Sequence, residues 1–160
     1  ITGIPASPAF SRTYDRAKAR EASDCRRTNR WCWRSPARSS PAYVHFRAAI
    51  GEMLPFMHAM PSMQLVIVAG ADEDYERELR RQVAEYGLAN VTVLGYVNAM
   101  AELMEAADVV ICKPGGLTVT ECLCAHAPMI LLGRAYARRR PTCACSPLPA
   151  LTRSMQDHIV

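Results

Sequence analysis

The sequence has no apolar run near the roughly 20 residues that a membrane-spanning helix needs, and its start lacks the basic-then-apolar pattern of a secretory leader. Both absences predict a chain that is soluble or peripheral at a membrane, in the cytoplasm. Cysteine comes in the wrong number for a disulfide framework: there are seven, and nothing marks the chain as secreted, so reduced thiols are expected. Length is limited too, since 160 residues, 50% of them hydrophobic, make one domain with a real core but hardly two. A full Gly-rich dinucleotide fingerprint with a distal acid is missing. The formal charge of +4 rests on arginines concentrated in two short segments, so it is not read as a nucleic-acid footprint.

What is present is a run of alternating elements. Gln64 to Ala69 is almost wholly apolar and β-branched and ends at Gly70, as befits a strand buried on both faces of a parallel sheet. Asp72 to Tyr86 then changes period: Tyr75, Leu79, Val83 and Tyr86 recur at spacings of four and three among charged residues, and Gly87 follows as a C-cap. Val91 to Leu94 predicts a second strand, Ala99 to Ala107 a helix presenting Met100, Leu103 and Met104 to the core, Asp108 to Cys112 a third strand, and Pro128 to Leu132 a fourth. This order describes successive right-handed βαβ units in an α/β, Rossmann-like parallel sheet with flanking helices.

The third strand runs into Lys113-Pro114-Gly115-Gly116-Leu117-Thr118-Val119-Thr120-Glu121, with a helix predicted from the glycines to about His126. Adjacent glycines let backbone N–H groups approach a ligand without Cβ interference, and a helix N-terminus carries partial positive charge suited to a diphosphate. Glu121, one turn in, has the chemistry to accept hydrogen bonds from the two hydroxyls of a ribose. A competing reading makes Glu121 a first-turn acid that favours the helix dipole, in a turn that binds nothing. Cys122, Cys124 and His126 suggest zinc, but residues two apart on a helix point away from each other, so no metal site is expected.

Three blocks, in order, resemble the C-terminal half of glycosyltransferase family 28: Thr2 to Phe10, Val93-Leu94-Gly95-Tyr96-Val97-Asn98-Ala99-Met100, and the Lys113 to Glu121 stretch. The last, with Pro128 to Leu132 after it, is most similar to monogalactosyldiacylglycerol synthases and processive diacylglycerol glucosyltransferases. The resemblance implies the C-terminal, donor-binding half of a two-lobed GT-B enzyme that transfers a hexose from UDP-galactose or UDP-glucose to a lipid such as diacylglycerol. Inversion is implied, with the UDP-sugar as substrate, no cofactor, no metal and no nucleic-acid partner. The lipid acceptor would be held by an N-terminal domain, expected to precede a chain that opens at Ile1 inside the first block, and the enzyme would sit peripherally at the membrane surface.

Carried over by position, the nucleotide-sugar site is Gly95, Tyr96, Val97, Lys113, Pro114, Gly115, Gly116, Thr118 and Glu121. Glu121 matches the acid that holds the ribose, Tyr96 and Val97 the backbone that reads the uracil edge, and Thr118 a phosphate contact. Strand-end packing of Tyr96 and Val97 is the competing, less favoured reading. Ala137, Arg138 and Arg139 stand where the family has glutamine and glutamate that contact the donor sugar. No catalytic base is identified, since none of His45, His58, His126 or His158 lies in a matching motif.

The expected organisation is an entry segment over 1–20, an irregular Arg/Trp/Cys-rich segment over 21–47, a nucleotide-sugar-binding core over 48–136 and an irregular tail over 137–160. Residues 25–46 hold Arg26, Arg27, Arg30, Arg34, Arg38, Trp31 and Trp33 with no period of either kind, and Arg138-Arg139-Arg140 opens the tail. Basic residues interleaved with tryptophan suit single-stranded nucleic acid or a membrane surface. The segments also fall where the family has its first strand with a Gly-rich loop and its Gly-Gln-Glu motif, and loss of that strand would open the sheet at Val66, Ile67, Val109 and Ile111. Out-of-frame translation of a GC-rich gene would produce this composition. Reading the same nucleotides in the other two frames is then expected to recover a Val/Leu-rich strand with glycines across 25–46 and a Gln-Glu pair near Arg138; failure in both frames would make the segments genuine insertions.

Overall fold

The computed structural model describes residues 7–11, 15–22, 29–35, 39–40 and 42–132. The start of the entry segment, with Gly3, Ile4 and Pro5, and the tail with Arg138 to Arg140 lie outside the described residues. The elements are α1 (Arg16–Ala22), β1 (Asn29–Arg34), α2 (Tyr43–Met53), β2 (Met63–Val68), α3 (Glu73–Glu85), β3 (Val91–Leu94), α4 (Met100–Ala106), β4 (Val109–Cys112), α5 (Gly116–Cys124) and β5 (Met129–Leu131). A 3-10 turn precedes α1 at Pro8–Ser11 and another follows α2 at Leu54–Ala59. The five strands form one sheet in the order β3-β2-β1-β4-β5, and all are parallel, as the βαβ alternation predicts for the four expected strands.

The expected irregular segment contains the middle of this sheet. Strand β1 pairs with β2 along its whole length, from Asn29 opposite Met63 to Arg34 opposite Val68, and with β4 from Trp31 opposite Val109 to Trp33 opposite Ile111. Its alternation was hidden because both faces are buried. Trp33 lies in the core beneath α2 and α3 with Trp31 packed against it, while Cys32 lies in the opposite core with residues of α4 and α5. One face thus carries Trp31 and Trp33 and the other Cys32 between Arg30 and Arg34, with Arg30 itself buried. Trp33 meets Phe46 of α2 edge to face at 5.3 Å, and α2 begins at Tyr43, inside the segment expected to be irregular. The sheet is therefore not opened, and Val66, Ile67 and Ile111 are buried.

Helix α3 follows its sequence closely. The Asp72 carboxylate accepts the Tyr75 amide at 3.1 Å as N-cap, and Glu73, Asp74 and Glu76 occupy the first turn, where the dipole favours acids. Tyr75 and Leu79 are buried and Val83 packs against the core, but Tyr86 is exposed, because the helix has ended at Glu85. Gly87, with φ of +60°, closes it through Leu88 N–H to Val83 O (3.1 Å) and Gly87 N–H to Ala84 O (3.0 Å). In α4, Leu103 and Met104 are buried and Met100 packs against the same core.

One carboxylate ties α1 to the amino ends of β1 and β4. Asp108 Oδ1 accepts from Arg16 Nη2 at 2.5 Å and Arg20 Nη2 at 2.6 Å, and Oδ2 accepts the Arg30 amide at 2.7 Å. Burial pushes its pKa up, but the Arg30 amide together with Arg20 and Arg16 outweighs this and holds it below the ordinary value. A carboxylate whose folded pKa is depressed stabilises the fold above its unfolded pKa, near ~3.9, and loses that contribution as pH falls through the folded value. Asp108→Asn is expected to cost about 1–2 kcal/mol at pH 7, a charge-assisted bond discounted for partial exposure. In denaturant unfolding the gap from the parent should narrow below about pH 4; a gap of constant size would show that the charge is not what holds α1.

Candidate nucleotide-binding site

A sheet of order 3-2-1-4-5 winds outward from β1 through β2 to β3, then crosses back to β4 and β5. The switch lies between β1 and β4, and ligands of open α/β sheets sit outside the carboxyl ends of the strands at that point. Arg34 ends β1 there, Gly70 follows β2, Gly95 to Asn98 follow β3, and Lys113 to Gly115 follow β4 into α5. Two cavities open among these loops. The larger, about 790 Å³, is lined by Gly70, Asp72, Tyr96 and Val97 among others, and the smaller, about 390 Å³, by Lys113, Gly115, Gly116 and Thr118. Arg34, Ser35 and Glu121 line both, and Arg34 Nη1 donates to Glu121 Oε2 where the two cavities meet.

The structure brings six of the nine expected residues into these cavities beside the paired Glu121. Gly115 is the extended N-cap of α5, with Gly116 as first helical residue, so the amides of Gly116, Leu117 and Thr118 are those the helix itself leaves without partners. Gly115 departs from the expected role, because its own N–H donates to Lys113 O at 2.8 Å in a tight turn. It clears space instead. Tyr96 is 74% exposed at the larger cavity, whereas Val97 both lines that cavity and packs against the core. Glu121, with its side chain 15% exposed, sits one turn into α5 facing the end of β1.

Two expected residues line neither cavity. Pro114 shapes the turn. Gly95 accepts the Gly70 amide at 3.3 Å and lies against α3, where a Cβ would fall 2.3 Å from Glu76 Oε2, the carboxylate that pairs with Arg80. Of the metal candidates, Cys122 is buried and Cys124 exposed, and His126 takes φ of 50° to close α5. Burial pushes the Cys32 thiol up to about 12, so it stays protonated beneath the site.

Charge is divided between the cavities. The rim of the larger carries Asp72, Glu73 and Asp74, with Arg77 bound to Asp74 at 2.5 Å and Asp72 accepting the Tyr43 hydroxyl at 2.5 Å. The smaller holds Lys113, the start of α5 and one side of Arg34. Of the two, the smaller cavity is the one that favours an anion. Sequence reasoning missed Arg34, Ser35 and Asp72: the first two close a strand whose pattern was hidden, and Asp72 was read as helix alone. Gly70 carried a visible signal, a glycine directly after a strand.

These features define a class, the doubly wound α/β domain with its crevice at the switch point, arranged as in the C-terminal half of a GT-B glycosyltransferase. Within that class, the chain belongs to glycosyltransferase family 28: the family's C-terminal domain model matches residues 44–139. Strand β1 lies ahead of the matched range. The chain is 34% identical over 135 residues to the processive diacylglycerol beta-glucosyltransferase of Staphylococcus carnosus, covering 84% of this chain and 33% of that protein. It is 40% identical over 75 residues to the same-named protein of Staphylococcus haemolyticus, covering 47% and 19%. The chain thus spans about a third or less of the length of these relatives. Among solved structures it resembles the C-terminal domain of the glycosyl transferase group 1 family protein LpcC from Francisella tularensis, with TM-score 0.59 and 17% identity over 80% of this chain and 70% of that one. It also resembles HepE of Anabaena in complex with UDP-glucose, with TM-score 0.54 and 23% identity over 79% and 36%. At these identities the structural likeness establishes the fold.

Gly70 turns the chain from β2 to α3 with φ of +78°, a conformation costly to L side chains, although nothing lies within 4 Å of a Cβ built there. Gly70→Ala is therefore expected to lower stability by about 1–2 kcal/mol through backbone strain alone. A thermal melt matching the parent would show that the turn relaxes at no cost.

Proposed function

We propose that this chain is the donor-binding domain of an inverting, UDP-sugar-dependent hexosyltransferase that glycosylates a membrane lipid such as diacylglycerol. The observation that carries the reading is the smaller cavity at the switch point, where Lys113 and the opening turn of α5 face the same space as Glu121. A nucleoside lies in the larger cavity against Tyr96 and Val97, its ribose hydroxyls reach Glu121, and the diphosphate enters the smaller cavity. The relatives' printed name, processive diacylglycerol beta-glucosyltransferase, and the UDP-glucose in the Anabaena structure support this choice of donor and acceptor. UDP-galactose fits the same chemistry.

Transfer requires the diphosphate to leave the anomeric carbon while a hydroxyl attacks from the opposite face. Donors aimed at where negative charge develops lower that barrier. The amides of Gly116 to Thr118, the dipole of α5 and the Lys113 ammonium supply such donors at the leaving group, and no metal or cofactor is needed in this reading. Acceptor binding and activation of its hydroxyl fall to the larger part of a full-length protein, at a membrane surface. Among the described residues no helix is long and apolar enough to cross a membrane.

Thermal unfolding of the chain with millimolar UDP, and with ADP as control, tests the reading. UDP at ~100 times its dissociation constant adds about 2.7 kcal/mol to the folded state, seen as a raised midpoint, while ADP leaves it unchanged. A cooperative melt that ignores UDP, or that responds equally to ADP, would overturn it.

A further inference from the structure

We propose that Arg34 is an exchangeable counter-charge: paired with Glu121 in this structure, it passes to the ligand's diphosphate when Glu121 takes the ribose, so that the site selects nucleoside diphosphates over nucleosides. This rests on the nucleotide reading above and adds to it a residue that reading does not use.

The placement is specific. Arg34 is the last residue of β1, the strand on one side of the switch point, and its partner Glu121 lies in the helix that follows β4, the strand on the other. The ion pair runs through Arg34 Nη1, and the same side chain lines both cavities, whereas Lys113 lines the smaller alone. Both partners are substantially sheltered, with side chains 27% and 15% exposed, so neither charge is fully solvated if the other is taken away. Glu121 is where the ribose hydroxyls dock. A carboxylate that accepts those hydroxyls has fewer lone pairs left for the guanidinium, and a half-buried guanidinium without a partner is costly.

A nucleoside alone therefore weakens the ion pair and offers Arg34 nothing in return. A nucleoside diphosphate restores what it disturbs: its phosphates enter the cavity that Arg34 already faces, and a planar guanidinium donates to phosphate oxygens in a fork that an ammonium cannot reproduce. Ribose and diphosphate recognition become coupled through one side chain. Lys113 and the start of α5 attract the anion whether or not Glu121 is engaged, so the coupling belongs to Arg34 and not to the positive end of the site as a whole.

Calorimetric titration of the chain with uridine and with UDP tests this, using the parent, Arg34→Met, Arg34→Lys and Glu121→Gln. For Arg34→Met, UDP affinity should fall tenfold or more while uridine binds at least as tightly as to the parent, because Glu121 is freed. Arg34→Lys keeps the charge and loses the fork, so its preference for UDP over uridine should drop several-fold, and this milder variant decides the matter if Arg34→Met does not fold. Glu121→Gln should weaken both ligands. Equal losses for uridine and UDP in the Arg34 variants would reduce Arg34 to structural support, and unchanged UDP affinity would remove it from the site; either overturns the proposal while leaving the nucleotide reading intact. A folded parent that binds neither ligand would overturn both.

Discussion

The molecule depends on hydrogen bonding to both edges of one short strand. Strand β1 joins β2 on one side and β4 on the other, and without it the sheet would be two unconnected pairs. A central parallel strand buries both faces, and here Trp33 does so toward α2 while Cys32 and Arg30 do so on the opposite face. The same strand fixes the switch point, because the crevice exists only where β1 and β4 diverge into their loops. Fold and site thus share a single determinant.

From that crevice the distribution of charge follows. Loops after β2 and β3 bring carboxylates and an exposed tyrosine to one side, and the loop after β4 brings a lysine and a helix start to the other. Acids that cap α3 do double duty, since Asp72 satisfies the Tyr75 amide and the Tyr43 hydroxyl while standing at the cavity rim. Arg47 lies over both tyrosine rings at 5.6 and 4.8 Å, which places a cation beside those acids and softens their field. The smaller cavity is accordingly the better suited of the two to an anion.

Much of this was legible in the sequence, and what was not has a physical cause. Strands β2, β3, β4 and β5 and helices α3, α4 and α5 fall within a residue or two of their expected bounds, because β-branched runs and a 3.6-residue period are strong signals that glycine punctuates. The turn at Lys113 to Gly116 and the position of Glu121 were readable from residue type alone. Strand β1 was not, because a central parallel strand is expected to be a β-branched apolar run, and here arginines flank the thiol on one face opposite two tryptophans. Arg34 went with it, since its importance comes from pairing with a residue 87 positions away. The family match, which begins at residue 44, carries the same blind spot.

That β1 holds despite its composition says where its stability comes from. Trp33 buries its indole almost completely, and its Nε1 finds no acceptor among the described residues, a cost of about 1–3 kcal/mol for a desolvated donor. Edge-to-face contact with Phe46 returns about 0.5–1.5 kcal/mol beyond area burial, and burial of an aromatic of this size a further few kcal/mol. Packing therefore outweighs the lost hydrogen bond of Trp33, which fills the volume between β1 and α2. Its far end is tied differently, by the ion pair from Arg34 to Glu121 of α5. One end of β1 is thus set by packing and the other by an ion pair across the switch point.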